Sequence, residues 1–201
     1  NDLKVVSVEH KMGINASPTC TMSFGDEGGA TGWLLGNEFD GMRVMFVMMN
    51  MARLSVGVQG LGLAGRTLQG ALSYANERVQ GKVVGTPKED RTSPIVGHPD
   101  VRRMLLDMRS LTEAMRGICL MNAVAMDRAG SLADEDARQA AEDLNELLIP
   151  ITKAWCTDMG VEVTSLAIQV YGGMGFVEET GVSQFFRDAR IAPIYEGTNG
   201  I

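Results

Sequence analysis

Histidine is nearly missing from this chain: His10 and His98 are the only two in 201 residues. Neither stands at ligand spacing from a cysteine or a carboxylate pair, so a zinc site, which needs three or four such donors, is not expected. Cysteine is almost as scarce. Cys20, Cys119 and Cys156 are odd in number and include no CxxC pair, which argues against a disulfide framework and fits a reducing, cytoplasmic setting. No apolar run approaches the roughly 18–20 uncharged residues that span a bilayer. The longest apolar-looking stretch, Val44 to Met51, is short and amphipathic, so no membrane is expected. Positive charge is not in excess either. A net charge of −7 gives no general pull on phosphate backbones, which makes nucleic acid a poor partner. A small anion could still be held by local basic residues. The opening Asn1-Asp2-Leu3-Lys4 is polar and carries no signal-peptide core, and the chain reads as a processed or excised segment.

What is present is a globular composition, 45% hydrophobic and 21% charged. Residues 1–36 read as β structure. Leu3 to Val8 and Thr19 to Phe24 alternate, and Ala30 to Gly36 resembles a short closing strand. Three such strands cannot bury a sheet face alone. From Asp40 the period changes to that of a helix, which runs to about Arg78 although Gly57, Gly60, Gly62 and Gly65 interrupt it. Each glycine costs about 0.5–1 kcal/mol against alanine there, so packing must hold this helix. Residues 81–97 form a loop. A second helix follows Pro99, with Val101, Met104, Leu105, Met108, Leu111, Met115, Ile118 and Met121 on one stripe, and ends at Gly130-Ser131. Asp134 to Met159 reads as a third helix with a kink at Pro150, Gly160 to Tyr171 as a further one, and Ser183 to Arg190 as a short one. The fold class expected is mainly α: an antiparallel four-helix bundle over residues 38–201, its last helix truncated, preceded over residues 1–37 by strands of an incomplete β domain.

Four sequence features stand out. Gly60-Leu61-Gly62-Leu63-Ala64-Gly65 matches GxGxxG literally, but it lies inside a helical stretch with no second strand after it, so close helix contact explains it better than a dinucleotide. Five of the 14 methionines fall between Met42 and Met51. Their spacing favours adaptable core filling over the wall of a pocket for a flexible chain. In Gln169-Val170-Tyr171-Gly172-Gly173-Met174-Gly175-Phe176 the glycines serve either as a helix C-cap or as backbone that approaches another group closely. In Arg187 to Gly200, Glu196 follows apolar residues and precedes Gly197. A carboxylate buried in such a setting acts as a base near neutral pH, although a surface turn gives the same spacing. Thr198 could cap a following helix.

The Ile194-Tyr195-Glu196-Gly197-Thr198 run resembles the C-terminal signature of the acyl-CoA dehydrogenases. Gln169 to Phe176 is similar to that family's Gln-x-x-Gly-Gly-x-Gly-Phe, with Arg187-Asp188-Ala189-Arg190-Ile191 at the expected distance. Tyr74-Ala75-x-Glu77-Arg78 and Lys11-x-Gly13-x-x-x-Ser17-x-Thr19 resemble two further motifs. The resemblance covers nearly the whole chain in order. Ser17-Pro18-Thr19 and the enlarged 82–97 loop resemble the longer bacterial members, those acting on methylthiopropanoyl-CoA among them.

The resemblance implies a flavoprotein with FAD as cofactor and an acyl-CoA thioester as substrate, oxidised to a trans-2-enoyl-CoA. Glu196 would abstract the α-proton and the β-hydride would pass to flavin N5. Tyr195, Asn50 and Arg53 would bind substrate. Some relatives place the base just before that arginine, where this chain has Ala52. Arg78, Gln80 and Gly81 would reach the pyrophosphate of a neighbouring subunit's FAD, His98 would lie at the flavin, Gln169, Gly172 and Gly173 would meet the adenosine side, and Thr198 the phosphates. The family often has an aromatic residue near Gly81; this chain has none, and Asn199-Gly200 replaces the more usual Ser-Gln. A homodimer or homotetramer that passes electrons to an electron-transferring flavoprotein is implied. An acyl-CoA oxidase on the same scaffold is the alternative, and a non-catalytic helical module is a third reading that retention of Glu196 and Arg53 disfavours. With the preceding domains absent, the segment alone is expected to show little activity.

Overall fold

Where the hydrophobic period lengthens after Asp40, a long helix begins. The computed structural model describes residues 2–87 and 92–200. It contains strands β1 (Leu3–Val8) and β2 (Cys20–Phe24) and helices α1 (Gly41–Glu77), α2 (Pro99–Ser131), α3 (Glu135–Tyr171) and α4 (Val182–Ala189), with single 3₁₀ turns at Ile95–Gly97, Gly172–Phe176 and Glu178–Thr180. Local chemistry sets the ends. Pro99 sits in the first turn of α2, where its missing N–H costs nothing. The Asp134 carboxylate caps α3 by accepting the Ala137 N–H at 2.8 Å. Gly172, at φ 60°, turns the chain out of α3.

The three long helices pack up-down-up. Asn122 of α2 donates to Asn145 of α3 at 2.8 Å, and Cys119 meets Cys156 with sulfurs 3.7 Å apart, so α2 runs antiparallel to α3. Gly57 abuts Thr152, Gly60 abuts Cys156, and Tyr74 stacks on Tyr171 with ring centroids 4.2 Å apart; α1 and α3 therefore run parallel. The GxGxxG stretch finds its explanation in this pair. A Cβ on Gly60 would stand 2.5 Å from the Cys156 carbonyl oxygen, and one on Gly160 would stand 3.1 Å from the Gly60 Cα. Only backbone fits between the two helices. Gly62, on another face, has open space. Met104, Met108, Met115, Cys119, Cys156, Val163 and the alanines 64, 71 and 75 fill the core beside this seam.

The mainly helical bundle with a small leading β segment is as expected; among the described residues its fourth helix is the short α4. Several particulars differ. Gly160 does not divide α3, because its missing side chain is used for contact with α1. Residues 30–36 form no strand: among the described residues β1 and β2 make a two-stranded sheet, and Trp33 is 85% exposed. The methionines of the first α1 turns are not core. Met42, Met48 and Met51 are exposed, as are Phe39 and Val47, because nothing in the described residues covers that end. Met121 is likewise exposed at the edge of its stripe. By length and composition α1 is the one described helix apolar enough to cross a membrane, yet its Gly57 and Gly60 pack against α3.

Candidate active site

Behind α4 the chain makes a turn whose backbone L-residues rarely adopt. Glu196 has φ 55° and Gly197 φ 95°. A non-glycine residue there costs about 1–3 kcal/mol and persists only where its surroundings hold it. They do so through cations from two helices. Arg53 of α1 donates from Nε to the Glu196 carbonyl at 3.3 Å, and Lys153 of α3 donates from Nζ to the Gly197 carbonyl. Lys153 also donates to Asn199 Oδ1 at 2.8 Å. The Asn199 amide nitrogen donates in turn to Ala154 O, Thr157 Oγ1 and Asp158 Oδ1 at 2.9–3.1 Å. Gly197 passes so close to Arg53 that a Cβ would stand 3.1 Å from the guanidinium. Beside Glu196, the Tyr195 hydroxyl donates to Gln59 Oε1 of α1. Burial pushes the Tyr195 phenol up, against the effect of that hydrogen bond, and the Glu196 charge adds to the rise. Glu196 itself is half-buried. Among the described residues its N–H has no acceptor.

Two cavities flank the turn. A small one, about 130 Å³, lies between Arg53, Pro150, Lys153, Gly197 and Thr198. A larger apolar one, about 520 Å³, opens between Lys11, Met12, Ser17 and Thr19 on one side and Arg190, Ile191, Ile194 and Tyr195 on the other. The leading β segment is anchored there. Asp188 accepts the Ile14 N–H at 2.6 Å, and a Cβ on Gly13 would collide at 2.6 Å with the Arg187 backbone. Two motifs far apart in sequence thus meet at one wall.

The opposite end of the α1–α3 pair carries a second cleft. Arg78, Gln80, Gly172 and Gly173 line it, with Tyr74 and Tyr171, around about 340 Å³. His98 joins this group, its Nε2 lying 2.9 Å from the Gln80 carbonyl oxygen and its ring against Gly81. Gln169 is exposed on the last turn of α3, where its carbonyl accepts the Gly172 N–H. Gly172 supplies the positive φ of the helix cap. Gly175 makes the close approach, since a Cβ there would lie 2.3 Å from the Ile168 carbonyl oxygen. The cap reading therefore holds at Gly172, and the close approach at Gly175 is to the chain's own backbone.

The residues read from sequence thus fall into two groups. Glu196, Tyr195, Arg53 and Thr198 come together at one end; Arg78, Gln80, Gly81, His98, Gly172 and Gly173 at the other. Asn50 is exposed on α1, one turn before Arg53. Sequence reasoning passed over Lys153 and Gln59. The signal for Lys153 was available: it is spaced with Ile149, Cys156 and Gly160 on the apolar face of α3 and is 4% exposed, a place where an unpartnered lysine is costly.

Residues 40–201 match the family model described as Acyl-CoA dehydrogenase, C-terminal domain. The whole chain is 51% identical over 201 residues to 3-methylmercaptopropionyl-CoA dehydrogenase of Ruegeria pomeroyi, of whose length it spans 33%. In three dimensions it is similar to butyryl-CoA dehydrogenase from Megasphaera elsdenii, with TM-score 0.80 and 29% identity over 98% of this chain and 46% of that one. It is equally similar to an acyl-CoA dehydrogenase from Bacillus anthracis complexed with FAD, with TM-score 0.80 and 26% identity over 99% of this chain and 34% of that one.

Proposed function

The chain belongs to the acyl-CoA dehydrogenase family, and on that premise we propose that it carries the catalytic base and part of the FAD and thioester sites for α,β-dehydrogenation of an acyl-CoA. The observation that carries this reading is the left-handed Glu196–Gly197 turn, with its two carbonyls engaged by Arg53 and Lys153. A turn held in this way presents a half-buried carboxylate on a rigid support.

In the proposed reaction, Glu196 takes a proton from Cα of the thioester. Negative charge then grows on the thioester oxygen, and the Glu196 N–H is free to donate to it, as preorganised donors do in other enolate-forming sites. Tyr195, held by Gln59, flanks the acyl chain. Arg53 commits Nε to the turn and keeps its other guanidinium donors for the thioester arm, with Asn50 on the same helix. The product is a trans-2-enoyl-CoA. FAD, when bound, supplies the acceptor for the β-hydride at N5.

The residues at the second cleft fit a dinucleotide pyrophosphate. The Arg78 guanidinium is exposed and, among the described residues, makes no ion pair, so its bidentate donors are available to phosphate. Beside it the Gly172-Gly173 backbone has no atom within 4 Å of either absent Cβ, which lets a ligand approach closely. Arg78, Gln80, Gly81 and His98 would hold one part of the cofactor and Gln169, Gly172 and Gly173 another, contributed to a neighbouring subunit of a homo-oligomer; Thr198 would meet the phosphates of the first site. An electron-transferring flavoprotein is the proposed acceptor.

A substrate panel tests this. The flavin-loaded complete gene product is mixed anaerobically with acyl-CoA thioesters, including 3-methylmercaptopropionyl-CoA and butyryl-CoA. The expected result is bleaching of the flavin with one enoyl-CoA formed per flavin by at least one thioester. A flavin left fully oxidised across the panel contradicts the reading. Rapid oxygen consumption during turnover would identify the oxidase alternative.

A further inference from the structure

Lys153 is a charged group where packing alone would favour an apolar one. It lies inside α3, 4% exposed, among Ile149, Thr152, Cys156 and Thr157. An ammonium in such a place costs several kcal/mol unless hydrogen bonds replace its water. Among the described residues it has no carboxylate within ion-pair distance, and both of its hydrogen bonds go to the Glu196 turn: one to the Gly197 carbonyl, one to Asn199. Asn199 then binds α3 at three points, and its own N–H donates to the Pro193 carbonyl at 3.0 Å. The loop is thus closed at both sides of Glu196. Burial, followed by the Arg53 charge, holds the lysine below its ordinary pKa, against the opposing pull of Asp158 and Glu196; among the described residues its hydrogen bonds go to the turn alone.

The geometry points to Lys153, together with Asn199, as a positioning latch for the catalytic base: it fixes the Gly197 carbonyl so that Glu196 keeps its left-handed backbone and its carboxylate stays at the reacting carbon. This rests on Glu196 being the base. Lys153 is a positioning residue, since it reaches the chemistry only through the turn. Misplacing a reacting group by about 1 Å costs on the order of 100-fold in rate, and that is the loss expected when the latch is removed.

The test uses Lys153→Met, which keeps the volume and removes the donor, in the flavin-loaded protein. Flavin reduction at saturating acyl-CoA is expected to slow about 100-fold, with KM changed less than about threefold and the thermal midpoint no lower than that of the parent. Lys153→Arg, still a donor, is expected to recover part of the rate. Amide hydrogen exchange supplies a readout that needs no turnover. Residues 195–199 are expected to exchange at least about tenfold faster in Lys153→Met, while the α3 core around Val163 is unchanged, in line with loss of a local hydrogen-bonded closure. Asn199→Ala opens the same latch from the loop side and is expected to give the same local acceleration, which keeps the test decisive if the Met variant does not fold. Unaltered exchange at 195–199 in whichever of these variants folds overturns the latch, and so does a rate loss in Lys153→Met matched by an equal loss of stability. If the parent protein reduces its flavin with no thioester, the reading of Glu196 fails instead, and the exchange result still decides whether Lys153 holds the turn.

Discussion

The two ends of the parallel α1–α3 pair, roughly 35 Å apart along α1 from Arg53 to Arg78, are built on different principles. At the Glu196 end the bundle reaches out: a half-buried arginine and a buried lysine from two helices engage successive carbonyls of one turn, and an asparagine closes it. At the Arg78 end the bundle leaves its groups unspent. The guanidinium is exposed, the glycine backbone is open, and the cleft between them is the place proposed for phosphates. The difference follows from the tasks proposed for them. A base must be held within a fraction of an ångström before substrate arrives, whereas a pyrophosphate brings its own charge and completes its site on binding.

Breaking the seam that joins the ends should have the largest effect. Gly60→Val places a branched side chain where even a Cβ would be 2.5 Å from a carbonyl oxygen; a loss of about 3 kcal/mol is expected in urea unfolding, since a rigid helix backbone cannot give way as a side chain can. Arg78→Met acts on one end alone. It should weaken FAD binding by about 2 kcal/mol, the value of a charge-assisted hydrogen bond, read by flavin titration, and leave the reduction rate of the loaded protein unchanged. Gly62→Ala gives the smallest effect and the opposite sign. It lies in the same glycine run but faces open space, so unfolding free energy should rise by about 0.5–1 kcal/mol. A loss there would show that the run is not divided between contact and solvent as described.

What could be read from the sequence was what repeats or clusters locally. The period of Val101 to Ile118 and the helix stop at Gly172-Gly173 each depend on neighbours a few residues away, and the helices they define are present. The Glu196 segment could be singled out because its motif is contiguous, and the role proposed for it rests on the resemblance. The errors came where the partner is distant or is not in the described residues. Gly160 reads as a stop until Gly60, a hundred residues earlier, is set against it. Met42 to Met51 have the spacing of a core, but spacing cannot say whether a cover exists. Ala30 to Gly36 has strand composition but joins no sheet among the described residues. Lys153 was missed because its partners, Gly197 and Asn199, lie more than forty residues on and bind through a backbone carbonyl and an amide that no motif records.

The central claim is that one carboxylate, Glu196, takes the α-proton. Glu196→Gln keeps the size of the side chain and its backbone carbonyl, and therefore the Arg53 contact. Stopped-flow mixing of the flavin-loaded variant with the thioester that bleaches the parent fastest should show flavin still bound and its reduction slowed by a factor on the order of 10³. Reduction at a rate close to that of the parent would contradict the account, because the proton would then be leaving by way of another group.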